Sequence, residues 1–313
     1  MILTDISLTL SFTNFDMKLF APEYYKSFKC IADKCRHSCC IGWEIDIDPD
    51  TEEVYKALED GYGEKILKSI DFDGTPHFSL TENERCPHLD SNGLCRIICE
   101  LGEDYLCDIC REHPRFYNYT SRGLEVGIGM SCEEACRIIL DSEDFGIVEL
   151  EDDREEYSSE DFDAVVFRDR VYSILKEPLP YEKRLERICR EFSLSLAVLS
   201  DGEWRDVIDT LEYLYPSHRQ LFSAYSSCPE TDGKYEKQLE RALAYFVFRH
   251  CDSAIDYDGF RARLGFALFC ERLLSSLIST GADVYESARI ISEELEYSED
   301  NTWDVVNLFN TAL

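Results

Sequence analysis

Positive charge is scarce in this sequence. Its 313 residues include 32 Lys and Arg against 64 Asp and Glu, a formal net charge of −32. Such a surface repels phosphate backbones and anionic lipid, so nucleic-acid and membrane-surface partners are disfavoured and a partner with lysine-rich segments is favoured. Long apolar runs are missing too. None reaches the roughly 18 residues of a transmembrane helix. The first stretch, MILTDISLTLSFTNFDMKLF, has neither a basic n-region nor a long apolar block, so no secretory leader is expected and the chain is read as cytoplasmic. There is no GxxxxGK[ST] phosphate loop and no Gly-x-Ser-x-Gly elbow. Gly127-Ile128-Gly129 is too short for a dinucleotide fingerprint. Cys-x3-Cys recurs at 35/39, 95/99 and 132/136 but never continues into Cys-x2-Cys, which removes the radical S-adenosylmethionine spacing. With 64 carboxylates, no pair of them points to acid–base work.

Cysteine, by contrast, is abundant and unevenly placed. Of 15 cysteines, 11 fall between Cys30 and Cys136, and the other four are Cys189, Cys228, Cys251 and Cys270. A reducing compartment does not keep structural disulfides, so dense thiols there read first as metal or cluster ligands.

Four zones follow. Residues 1–28 are a lead-in in which Ile6, Leu8, Leu10 and Phe12 alternate as in a short strand. Residues 29–140 are the cysteine-rich metal- or cluster-binding domain. Within it, a helix capped by Asp50 or Thr51 is expected to run to about Ile70, with interruptions at Gly61 and Gly63. Tyr117 and Tyr119, then Leu124, Val126 and Ile128, alternate around Ser121-Arg122-Gly123 and predict a β-hairpin. Residues 141–163 hold twelve carboxylates and one arginine and read as an acidic linker. Residues 164–313 read as a helical domain: Leu185, Ile188 and Phe192, then Trp204, Val207, Ile208 and Leu211, then Leu239, Leu243 and Phe246 fall at helical spacing. Residues 260–278 are apolar nearly all round and predict the central buried helix. The expected fold is mainly α with a small β-hairpin, an irregular cysteine-rich unit joined to a helical one.

The thiols form four groups. These are Cys30-x4-Cys35-x3-Cys39-Cys40, then Cys86-Pro87-His88-Leu89-x5-Cys95, then Cys107-x2-Cys110, and finally Cys132-x3-Cys136. Thiolates are soft donors suited to zinc and to iron–sulfur clusters. Zinc ribbons prefer two tight Cys-x2-Cys knuckles, and only one is present, so the balance leans to an iron–sulfur cluster. Adjacent Cys39 and Cys40 are expected to serve different sites or different corners of one cluster. Cys99 and Cys136, on apolar helical patterns, read as small buried side chains, as do the four later cysteines. His37, His88 and His113, each near a thiol, are minor ligand candidates. Arg36, Arg96, Arg111 and Arg115 are placed to offset thiolate charge or to make ordinary salt bridges. Tyr24, Tyr25, Tyr105, Tyr117 and Tyr119 are candidates for an aromatic amine channel or for plain packing.

These residues resemble a known family. Pro22-x-Tyr24-Tyr25-x2-Phe28-x-Cys30 through Gly42-Trp43, Ile47-Asp48, Cys86-Pro87-x-Leu89, Gly93-Leu94-Cys95-x-Ile97, Leu101-Gly102-Glu103-x-Tyr105-Leu106, Cys110-Arg111-x2-Pro114-Arg115 and Ser131-Cys132-x-Glu134-Ala135 look like the flagellin lysine-N-methylases, with their zinc- or iron-chelating cysteine domain. The resemblance covers about residues 20–140. It implies an S-adenosylmethionine-dependent protein-lysine N-methyltransferase acting on flagellin, with an iron–sulfur cluster of the 4Fe-4S type and zinc as the alternative. The metal ligands it implies are Cys30, Cys35, Cys39, Cys40, Cys86, Cys95, Cys110 and Cys132. Cys99, Cys107 and Cys136 fall outside its pattern. Eight thiols exceed the four of one cluster, so two sites, or thiols with other duties, are expected. The competing expectation is a non-enzymatic zinc or iron–sulfur carrier or redox-sensing interaction protein.

Overall fold

The computed structural model describes residues 18–58, 61–151, 162–195, 199–230 and 233–311. The expected strand at 6–12 and residues 152–161 of the acidic stretch lie outside them. The strands are β1 (Leu19–Pro22), β2 (Ile70–Asp71), β3 (His77–Phe78), β4 (Arg115–Thr120), β5 (Gly123–Ile128) and β6 (Ile147–Glu151). The helices of the thiol-rich half are α1 (Pro49–Ala57), α2 (Gly63–Lys68), α3 (Arg96–Glu100), α4 (Asp108–Glu112) and α5 (Glu133–Asp141). Those beyond are α6 (Ala164–Leu175), α7 (Tyr181–Glu191), α8 (Asp201–Thr210), α9 (Pro216–Phe222), α10 (Glu236–His250), α11 (Tyr257–Ser279), α12 (Val284–Ile291) and α13 (Glu299–Thr311), with a π-turn at Ser292–Glu296 before the last. The molecule is mainly α-helical, as expected.

The predicted hairpin is β4–β5, in register from Arg115 opposite Ile128 to Thr120 opposite Gly123. It does not stand alone. The sheet order is β4-β5-β1-β6, with β1 parallel to β5 and antiparallel to β6. Thus the lead-in supplies a central strand, and the acidic stretch supplies an edge strand at Ile147–Glu151. Leu19 and Ala21 pack on Leu124 and Val126, a small apolar cluster that neither strand pair could form alone. Gly123 is required here: a Cβ would sit 2.4 Å from the Lys18 carbonyl oxygen. Glu125, on the same strand, is fully buried against Arg168 of α6, which also meets buried Asp252. Arg168 hydrogen-bonds both carboxylates, while its Nε and Asp252 Oδ1 are buried without a hydrogen-bond partner among the described residues, so the buried triad is only partly satisfied.

The central helix is α11, as the apolar run predicted. From Phe260 to Ile278 nearly all its residues are buried. Gly265 admits the Phe309 ring of α13, which a Cβ would meet at 2.4 Å. The main core extends past the helical half: Ile128, Met130 and the α5 residues Ala135, Cys136, Ile138, Ile139 and Leu140 belong to it. A second core, of Ile45, Ile47, Tyr55, Ile66, Phe78, Ile97 and Leu106, encloses Cys86 and Cys107. The expected long helix after Asp50 is two short ones. Its cap is Asp48, whose Oδ1 accepts from Thr51 N at 2.9 Å, with Pro49 at the first helical position.

Candidate metal centre

All fifteen cysteines are free thiols. The eight implied as ligands fall into two electrostatically connected sets. The first is Cys30, Cys35, Cys39 and Cys132. Cys35 is pushed up to about 11 by burial first and then by Glu133, Cys132 and Cys30, and Cys39 senses the same two distant thiols, Cys132 and Cys30. The second is Cys40, Cys86, Cys95 and Cys110, joined by Cys107. Burial raises Cys86 to about 12, and Cys40, Cys95 and Cys107 add to the effect. Cys110 likewise lies in the field of Cys40 and Cys86. The adjacent Cys39 and Cys40 lie in an irregular turn rather than a helix. The two sulfurs remain hydrogen-bonded. That hydrogen bond raises Cys39 and lowers Cys40. Cys107 and Cys110 share a hydrogen in the same way, with Cys107 lowered.

Local structure explains the convergence. Cys132 caps α5, and the next residue, Glu133, clamps the Cys35 loop. Glu133 Oε2 accepts from Arg36 N at 2.8 Å and His37 N at 3.3 Å, its Oε1 takes Arg36 Nε at 2.9 Å, and the Cys35 thiol points at Oε2 at 3.8 Å. His37 ties the same loop to α12 through Glu286, at 3.0 Å. In the second set, Cys86 N donates to Cys40 O at 2.8 Å, and Leu89 bridges to Cys95. Asp48 caps two helices at once: its Oδ2 accepts from Asp108 N at 2.9 Å, at the start of the helix that carries Cys110.

Cys95, Cys107 and Cys132 each occupy the N-cap position of a helix. Burial raises Cys95 and Cys132, while helix amides (Ile97 and Ile98; Glu134 and Ala135) favour their thiolates. The sets differ in access. Cys30 and Cys39 are exposed, whereas Cys86 and Cys107 are buried.

The donor chemistry fits a thiolate-held metal group. No three of these sulfurs approach within 4.8 Å of one another; among the described residues the group that does is His218, Glu293 and Glu294. A zinc ion with Zn–S near ~2.3 Å requires tetrahedral edges of about 3.8 Å. The His218 group has other duties: Glu294 accepts from Leu214 N at 2.8 Å, Tyr215 N at 3.2 Å and His218 at 2.5 Å, latching a loop.

Several expectations resolve differently. His88 is sandwiched between Tyr62 Oη at 3.1 Å and Ser69 Oγ at 2.9 Å, so both ring nitrogens are used. Trp43 packs on His113. Of the four arginines, Arg36 pairs with Glu133, Arg96 with Glu100, and Arg111 with Asp108. Arg115 binds Tyr25 Oη at 3.0 Å. These are ordinary contacts; Arg85 is an arginine that favours the thiolate of a family-pattern cysteine, Cys40. Tyr24 is core and Tyr119 is 59% exposed, so these tyrosines line no common channel. Cys99 is exposed, not buried, because the single turn of α3 buries Ile97 instead. Cys136 is buried as expected. Cys107, outside the family pattern, sits with the second set. Sequence reasoning missed Glu133, although it directly follows Cys132, and it noted Asp48 without a role.

The described residues therefore define a mainly helical protein with a thiol-rich N-terminal half. The Lysine-N-methylase of Salmonella typhimurium is 27% identical over 137 residues, 39% of this chain and 32% of that protein, and the Lysine-N-methylase of Salmonella choleraesuis gives the same values. The Flagellar biosynthetic protein FliU of Salmonella muenchen is 25% identical over 134 residues, 39% of this chain and 77% of that protein. The chain is a relative of these lysine-N-methylases, and the similarity spans about a third of their length. No family model and no solved structure matches it.

Proposed function

We propose that this chain is a protein lysine N-methyltransferase that moves methyl groups from S-adenosylmethionine to surface lysines of flagellin, in the cytoplasm, with its thiols holding an iron–sulfur cluster of the 4Fe-4S type. What supports the reading is the similarity to proteins named lysine-N-methylase, 27% identical over 137 residues, in a chain whose eight family-pattern thiols lie between Cys30 and Cys132. Cys30, Cys35, Cys39 and Cys132 would hold one group, and Cys40, Cys86, Cys95 and Cys110 a second. Such a group, when bound, supplies a redox-active or Lewis-acidic iron centre. Exposed Cys30 and Cys39 leave the first set reachable, as functional metal sites are, while structural ones are closed.

The chain's own residues set the rest. Glu133 holds the Cys35 loop against α5, and Asp48 holds α4 against α1. In the transfer, the sulfonium C–S bond breaks as the N–CH3 bond forms, S-adenosylhomocysteine leaves, and the nitrogen's surplus proton passes to a base. A lysine with a reference pKa near ~10.4 must first be neutral, and aligning it with the methyl group supplies several kcal/mol. The −32 charge draws lysine-rich segments toward the surface. The test is incubation of anaerobically purified protein with unmodified flagellin and methyl-labelled cosubstrate. Label on flagellin lysines is expected. A carrier or redox sensor transfers none.

A further inference from the structure

Away from the thiols, β4, the end of α10, α11 and α13 line an open cavity of about 430 Å³. That lies within the roughly 300–1,000 Å³ of small-molecule sites. Its floor is polar and buried. The Glu296 carboxylate, wholly shielded from solvent, accepts from His250 Nε2 at 2.7 Å, Arg249 Nε at 3.2 Å and Tyr245 Oη at 2.9 Å. Glu296 closes the π-turn Ser292–Glu296, a break in helical hydrogen bonding of a kind frequent at functional sites. Tyr245 Oη also accepts from Met130 N at 3.1 Å, two residues before Cys132. The cavity floor and the first thiol set thus share a strut.

The charges on the wall do not cancel pairwise. Arg249 is matched by Glu296. Arg263 of α11 lines the same cavity, faces His250, and makes no hydrogen bond or ion pair among the described residues. Glu299, in the first turn of α13, also has no such partner there. Glu299, Thr302, Trp303 and Val306 fall at i, i+3, i+4 and i+7, so one face of α13 forms a wall. Trp303 is 60% exposed, an unusual position for an indole with nothing resting on it. Phe116 of β4 adds a second ring. A guanidinium without a partner is matched by a carboxylate in a two-pronged contact, a lone carboxylate by an ammonium, and an open indole by a flat or cationic group.

We propose that this cavity is the cosubstrate site, in which Arg263 takes the α-carboxylate of the methionyl end of S-adenosylmethionine, Glu299 its α-ammonium, and Trp303 stacks on its purine. The assignment rests on the methyltransferase reading and gives that reading a location apart from the family-pattern thiols.

The test uses the full chain, purified anaerobically, with S-adenosylhomocysteine as an unreactive probe followed by calorimetry and tryptophan fluorescence. Wild type should bind and change its emission. Arg263→Met should weaken binding at least tenfold, with Arg263→Lys intermediate, because lysine keeps the charge and loses the fork. Glu299→Gln should weaken it several-fold. Trp303→Phe should abolish the emission change, while Trp43→Phe should retain it. Because Arg263 has no partner to lose, its variants should keep the wild-type circular dichroism and melting temperature. If the probe binds wild type, Arg263→Met and Glu299→Gln alike, the cavity is not the site although the methyltransferase reading stands. If wild type binds no probe and labels no flagellin, both fall.

Discussion

At the level of single residues, the two cysteines of the last Cys-x3-Cys are assigned different fates. Cys132 faces Cys30, Cys35 and Cys39, while Cys136 is buried one turn along and donates to the Tyr285 carbonyl at 3.4 Å. Cys132→Ser should abolish one metal group, read by elemental analysis. Cys136→Ser should keep the metal and cost about 1–3 kcal/mol in urea unfolding, the penalty of a poorly satisfied buried hydroxyl. Equal metal content in the two variants would contradict the division. A second residue gives a pH signature. Burial, then Arg115 and Arg249, hold His113 down at about 4 against an ordinary 6.5. The unfolded chain therefore takes up this proton first. The His113 contribution is complete above pH ~6.5 and is lost as pH falls from there toward 4. The loss is at most about 3 kcal/mol, and less because the ring is only half-buried. His113→Gln should flatten the stability curve in that window; an unchanged slope would show that the ring stays solvated.

At the level of elements, the helix starts carry much of the organisation of the thiols. Asp48 satisfies backbone donors of both α1 and α4. Asp48→Ala should cost about 1–4 kcal/mol, two caps at ~0.5–2 each. It should also speed metal loss to a chelator from the set containing Cys110, while Asp50→Ala, at a position the sequence suggested as the cap, should do neither. Local pattern made the hairpin, α11 and most later helices legible, because apolar periodicity is a short-range property. It did not reveal the four-stranded sheet, since β1 and β5 are about a hundred residues apart and a four-residue strand carries little periodicity. Nor did it reveal the second duty of Asp48. The residue stood out in the motif Ile47-Asp48, but its other partner is sixty residues away, at Asp108. Glu133 was obscured for a different reason, as one of 64 carboxylates whose role appears only once the Cys35 loop lies against α5.

At the level of the whole molecule, net charge and thiol convergence make separate demands. A chain at −32 that gathers lysine-rich protein through its field should lose that attraction on screening. Flagellin affinity should fall several-fold between low and physiological salt, where the Debye length is about 8 Å; an affinity indifferent to salt would remove the electrostatic account. The sequence placed the thiols in four groups but could not say which groups meet, because that depends on turns and caps linking distant segments. The most direct measurement of the convergence is the iron and acid-labile sulfide content of anaerobically purified protein, with its visible spectrum. Wild type should be coloured and carry both elements, Cys35→Ser and Cys86→Ser should each lose a separate share, and Cys99→Ser should lose none. A colourless wild-type protein containing zinc and no sulfide would contradict the account.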